Sequence, residues 1–135
     1  MRRVSLSYIL SIPIGLLLAA TPLSPQVSQQ GPLSVPLACL KGDCPLLTGV
    51  PQTSGMRSGF VRLRPGETVG WHSTGKNEEA LVIIRGGGVA LIDAHPSQTF
   101  TAPGLVYIPP ATRHNVQNTG KELLEYVYVV APARD

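Results

Sequence analysis

Charge and aromatic side chains are scarce in this chain of 135 residues, at 14% and 5% of positions respectively. Eleven Lys and Arg stand against eight Asp and Glu, a formal charge of +3. Two of the eleven, Arg2 and Arg3, precede an apolar N-terminal stretch; without them nine basic side chains face eight acidic ones, a net +1. A charge so small lacks the basic stripe that neutralises phosphates, which excludes nucleic acid as a partner. There are only two cysteines, too few for a four-thiolate zinc site. After Met56 no apolar period of 3.6 residues appears, so no helix is expected there.

Glycine and proline are abundant, 14 and 13 residues, or 27 of 135. They are aperiodic and interleaved with Val, Ile and Leu, which excludes collagen and disorder and points to short strands joined by tight turns. The length fits one small domain. Residues 1–20 pair a basic start with an apolar run, Leu6 to Ala20, that ends in small residues. That is the pattern of a secretory signal peptide; a membrane anchor is disfavoured because Ser7, Ser11, Pro13 and Gly15 interrupt a run already shorter than the roughly 20 apolar residues of a spanning helix. A periplasmic or secreted location follows. Residues 21–40 open with the Pro-, Ser- and Gln-rich TPLSPQVSQQGPLSVP, read as a flexible arm. Cys39 and Cys44 flank a Gly-Asp turn, and in an oxidising compartment a short-loop disulfide is expected. A loop so closed, lying ahead of the first barrel strand, would make a redox-sensitive lid if it folded over a cavity mouth.

The folded domain is placed at 41–135, with about eight strands after Met56. Phe60 to Arg64 alternates and stops at Pro65-Gly66; Thr68 to Ser73 follows; Glu79 to Ile84 is apolar on both faces and is expected to be buried on both. Gly86-Gly87-Gly88 predicts a tight hairpin into Val89 to Asp93. Gln98 to Thr101, Leu105 to Ile108, His114 to Asn118 and Leu123 to Val130 complete the set, with Pro109-Pro110 interrupting the ladder. So many short strands imply an all-β sandwich or closed barrel.

Gly66-Glu-Thr-Val-Gly-Trp-His72-Ser-Thr74-Gly-Lys-Asn-Glu-Glu79, with Gly86 seven residues on, resembles the first signature motif of the cupins. Pro109-Pro-Ala-Thr-Arg-His114-Asn-Val-Gln-Asn118 resembles the second. The resemblance spans Gly66 to Asn118, with a short intermotif stretch like that of small single-domain cupins of the type-2 kind. It implies a small jelly-roll barrel, the double-stranded β-helix, and often a homodimer. The family's metal is held by two histidines and the glutamate of motif one and the histidine of motif two; here His72, Glu79 and His114 match. Thr74 stands where the second histidine would be, Ala111 replaces a glycine, and Gly104 lies one residue too close to Pro109.

The residues themselves support the same three ligands. His72 and Thr74 are two apart, so an extended strand points both to one face. Glu79 shares its parity with Leu81 and Ile83 and so faces their interior, where a carboxylate must be paired, protonated or bound to a cation. Glu78 has the opposite parity and is expected to point outward. Two imidazoles and a carboxylate suit a divalent ion, with Fe, Mn, Zn, Ni and Cu not separable. The Thr74 hydroxyl would orient a water or ligand. Trp71, Tyr126 and Tyr128 are core or rim aromatics, Tyr126 and Tyr128 being candidates to line the cavity. His95 is a solvated turn residue, and Arg62, Arg85 and Arg113 are candidates to meet an acidic ligand. Two functions remain open: an exported cupin binding a metal and a small molecule, with oxygenase or isomerase chemistry available to it, or a metal-free, non-catalytic binding module.

Overall fold

The structure, a computed structural model, describes residues 31–133. The signal-like segment 1–20 and the first part of the arm, 21–30, lie outside the described residues. Among those described there are nine strands and no helix: β1 (Gly42–Thr48), β2 (Arg57–Leu63), β3 (His72–Ser73), β4 (Asn77–Arg85), β5 (Gly87–Ile92), β6 (Gln98–Thr101), β7 (Gly104–Ile108), β8 (Arg113–Gln117) and β9 (Leu124–Pro132). They form a five-stranded sheet, β1-β2-β9-β4-β7, and a four-stranded sheet, β3-β8-β5-β6, with every pair antiparallel. Only β1–β2 and β5–β6 are hairpins; every other connection crosses from one sheet to the other, the winding of a double-stranded β-helix.

The alternation of side chains decides what lies between the sheets. Four rows cross the inner face of the larger sheet: Arg57–Val130–Glu79–Ile108, Gly59–Tyr128–Leu81–Val106, Val61–Tyr126–Ile83 and Leu63–Leu124. The lower rows pack with Ala90, Ile92, Phe100 and Val116 of the smaller sheet in one apolar core. Charge enters with Arg57 and Glu79 of the uppermost row and with Asp43, which β1 sets beside Val61, and there the core gives way to a cavity.

Three expectations need correction. The triple glycine is no hairpin, because β4 and β5 lie in different sheets and Gly86-Gly87-Gly88 is the corner between them. The reason is space as well as backbone freedom: Gly86 holds a φ of 76°, an ideal Cβ there would lie 2.5 Å from the Leu123 carbonyl oxygen, and one on Gly88 would overlap that of Gln117. β4 is buried on one face only, since Val82 and Ile84 are exposed, beside Leu105 (67% exposed) and Tyr107 of β7. Finally, of the strand expected at Thr68 to Ser73 only His72–Ser73 pairs as a strand, with one isolated bridge at Thr68; Gly70 between them has a φ of 86°, which breaks the ladder.

Candidate metal centre

β3 and β8 are registered so that His72 lies directly opposite His114, and opposed residues on antiparallel strands project to the same face. Their ring centroids are 4.2 Å apart. Each Nδ1 faces the carbonyl oxygen two residues earlier: His72 donates to Gly70 at 2.9 Å, His114 to Thr112 at 3.2 Å. A carbonyl can only accept, so Nδ1 carries the proton in both rings and Nε2 is left for another partner, the arrangement that orients metal-binding histidines.

Glu79 reaches the same place from the facing sheet. It is 4% exposed, His114 0%, and Glu79 Oε2 lies 3.1 Å from His114 Nε2. That separation is an ion pair's, and apart from each other the two buried atoms have no partner. Atoms bound to one ion at about 2.1 Å and cis to each other lie about 3.0–3.4 Å apart, so the pair has the spacing of two ligands of one centre. One ligand atom from each of His72, Glu79 and His114 fits within 4.8 Å of the others. The donor set, imidazole and carboxylate, suits a divalent transition metal. Burial would push the His114 imidazole down, but the Glu79 carboxylate and the Thr112 carbonyl outweigh it and leave it raised.

His72 and Glu79 line a cavity of about 210 Å³ between the sheets, and His114, fully buried, lies behind them. Thr74, Tyr126 and Tyr128 all line it. The Thr74 hydroxyl donates to the Asn77 carbonyl oxygen at 2.9 Å, so its proton belongs to the turn into β4. Burial pushes the Tyr126 phenol far up, and burial with the nearby Asp43 carboxylate pushes Tyr128 up to about 12, so both stay neutral donors at ordinary pH. Tyr128 lies flat over Gly59, where a Cβ would be 2.5 Å from the ring. Glu78 does point outward, where its carboxylate accepts from the Tyr107 hydroxyl at 3.1 Å. His95 is exposed in the β5–β6 turn.

None of the three arginines proposed to meet an acidic ligand lines the cavity. Arg62 is paired with Glu125 at 2.8 Å, Arg113 lies over the exposed Trp71 ring, 5.3 Å from its centroid, and Arg85 is exposed. Arg57 and Asp43 line it instead. Their inward parity follows from register with Val130 and Val61, which no local pattern discloses. Cys39 and Cys44 are joined by a disulfide, and Cys44 lies within β1, not ahead of it; the loop it closes carries Asp43 to the cavity wall. Asn118 of the second motif is structural: its amide donates at 2.8 Å to the carbonyls of Leu63 and Glu122. Ala111 keeps a φ of 56°, the backbone of the glycine it replaces.

Two antiparallel sheets wound as a double-stranded β-helix around histidine and glutamate side chains define a class of small β-barrels with a polar cavity at one end. Residues 59–130, more than half the chain, match the family model of the cupin domain, and the chain belongs to the cupin family. Its structure is similar to the cupin domain of Schizosaccharomyces pombe Cnp3 (TM-score 0.60, 19% identity, covering 67% of this chain and 64% of that one). It is likewise similar to a protein of Bacillus halodurans (0.60, 21%, covering 70% and 73%) and to a cupin protein of Bacteroides fragilis (0.59, 20%, covering 78% and 86%). The chain therefore spans just under two thirds of the first of these. No curated protein sequence matches it.

Proposed function

We propose that this chain is an exported cupin whose cavity holds one divalent metal ion, on His72, Glu79 and His114, together with a small-molecule ligand. The observation that carries it is the buried pair of Glu79 Oε2 and His114 Nε2, 3.1 Å apart and without any other partner, with His72 beside them. Burying such a pair costs several kcal/mol that its mutual attraction only partly repays, and a cation bound to both atoms offsets the rest. Once bound, the ion supplies Lewis acidity or a site for dioxygen, the basis of isomerase or oxygenase chemistry. Glu79 provides the site's negative charge, and the Nδ1–H bonds to Gly70 and Thr112 fix the two imidazoles. Tyr126 and Tyr128 remain protonated and line the ligand's space.

Export is supported by the N-terminal pattern of residues 1–20 and by the disulfide, which persists in an oxidising compartment. No helix among the described residues is long and apolar enough to cross a membrane. The exposed apolar face formed by Val82, Ile84, Leu105 and Tyr107 supports a homodimer.

One observation favours a second reading, a metal-free binding module: Thr74, with its hydroxyl committed to Asn77, occupies the second histidine's place and leaves the set one imidazole short. Elemental analysis of the mature protein decides between them. The first reading expects near-stoichiometric metal that falls in His72→Ala and His114→Ala; a metal-free wild type under metal-replete expression supports the second.

A further inference from the structure

Among the described residues Arg57 is the only Lys or Arg lining the cavity, and it stands in neither of the ion pairs they form. We propose that the cavity takes a small organic acid, with Arg57 gripping its carboxylate while the rest of the molecule reaches toward the metal centre. The inference rests on the metal-binding reading above and names the ligand class for that site.

Register carries the geometry. Arg57, Val130 and Glu79 form one cross-strand row on the inner face, which sets the backbones of Arg57 and Glu79 two strand spacings apart, about 9.6 Å. A ligand between the guanidinium and the centre must therefore be short. The cavity volume of about 210 Å³ agrees: sites for drug-sized molecules run from about 300 to 1,000 Å³. The stem of Arg57 runs beside Gly49, where an added Cβ would lie 3.3 Å from its Cγ and 3.7 Å from its Cδ.

Asp43, the other charged group of the wall, does not cancel Arg57. Its backbone lies opposite Val61, four residues along β2 from that of Arg57, roughly 13 Å at about 3.3 Å per residue. Its carboxylate faces the Tyr128 hydroxyl at 3.5 Å. A divalent ion balances Glu79 and Asp43, and Arg57 then leaves the cavity one positive charge in excess, the complement of a monocarboxylate. A guanidinium presents the paired donors that match a carboxylate, which an amide of equal size cannot engage in the same way.

The test titrates metal-loaded protein calorimetrically with acetate and glycolate and with their neutral counterparts, acetamide and glycolamide. The acids are expected to bind about tenfold or more tightly than the amides. Arg57→Gln should bring each acid–amide pair to within about threefold while leaving metal content unchanged, and Arg57→Lys should retain part of the preference. Arg57 is exposed, so neither variant is expected to alter the unfolding midpoint, which is measured alongside. Equal binding of acid and amide, or a preference that survives Arg57→Gln, overturns the inference. Should wild type load no metal, the metal reading fails by itself. The same titration of the metal-free barrel then judges Arg57 alone: a preference lost in Arg57→Gln supports its role, and none overturns it.

Discussion

His114 and Glu79 show how two residues 35 positions apart come to share one problem. Each is buried because strand parity turns it inward, and each brings a polar atom that the apolar core beneath cannot satisfy. Both, with His72, are legible in the sequence, because the motif spacing and the parity of Glu79 with Leu81 and Ile83 depend on local geometry alone. Arg57 and Asp43 are not legible: their place on the cavity wall depends on pairing with β9 and β1. The tyrosines offer a test at this scale. Tyr107, Tyr126 and Tyr128 all have phenols raised above their ordinary value, by the Glu78 hydrogen bond in the first and by burial in the other two. A phenol that ionises more readily unfolded than folded gives stability that is whole below about pH 10 and is lost as the pH rises above it. For Tyr128 the loss runs up to about pH 12. Phenolate absorbance and circular dichroism, followed together, should show Tyr126 and Tyr128 ionising only as the fold is lost. Either of them ionising reversibly near pH 10, with the sheet signal intact, would contradict this.

Among the elements, the corner between β4 and β5 is where pattern and structure part. A run of glycines between two apolar strands fits a hairpin and a sheet-to-sheet corner equally well by its local chemistry. What separates them is the backbone of residues 117 and 123 pressing on the glycines from outside, which a short sequence window does not contain. β1 was missed for a related reason: Pro45 and a register shift beside it disguise a strand that pairs along the edge of the larger sheet. The expected burial of both faces of β4 was wrong because composition cannot tell which apolar face meets the core. Gly88→Ala sets a methyl group against the Gln117 carbonyl and close to the Phe100 ring, neither of which can retreat without moving a strand. It should destabilise the domain by about 1–3 kcal/mol in urea unfolding. Gly31→Ala, with open space around its Cβ, should stay within about 0.5 kcal/mol. Equal effects of the two would refute the corner geometry.

For the molecule as a whole, one architecture produces both a closed core and a polar cavity, because the apolar rows end where Glu79 and Arg57 begin. The outer face of the larger sheet carries its own expectation. Val127, Val82 and Leu105 form an apolar row across it beyond the buried Phe60, and Val129, Ala80 and Tyr107 another. An apolar sheet face left in water favours self-association, so sedimentation should give a dimer that Val82→Lys with Leu105→Lys reduces to a monomer. A wild type that stays monomeric over the whole concentration range would count against it. The fold class and the three ligand candidates were read from sequence since short strands, turns and motif spacing are local properties. Which face is covered, and which arginine enters the cavity, are properties of the assembled barrel.

The central claim is that His72, Glu79 and His114 form a single centre for one divalent ion. Calorimetric titration of metal-stripped protein with Zn(II) and Mn(II), beside Glu79→Gln and His114→Ala, tests it most directly. The wild type should bind one ion, and either variant should lose more affinity than the roughly 10- to 100-fold that follows loss of an outer-shell partner. A wild type that binds no ion, or variants that bind as tightly as the wild type does, would contradict it.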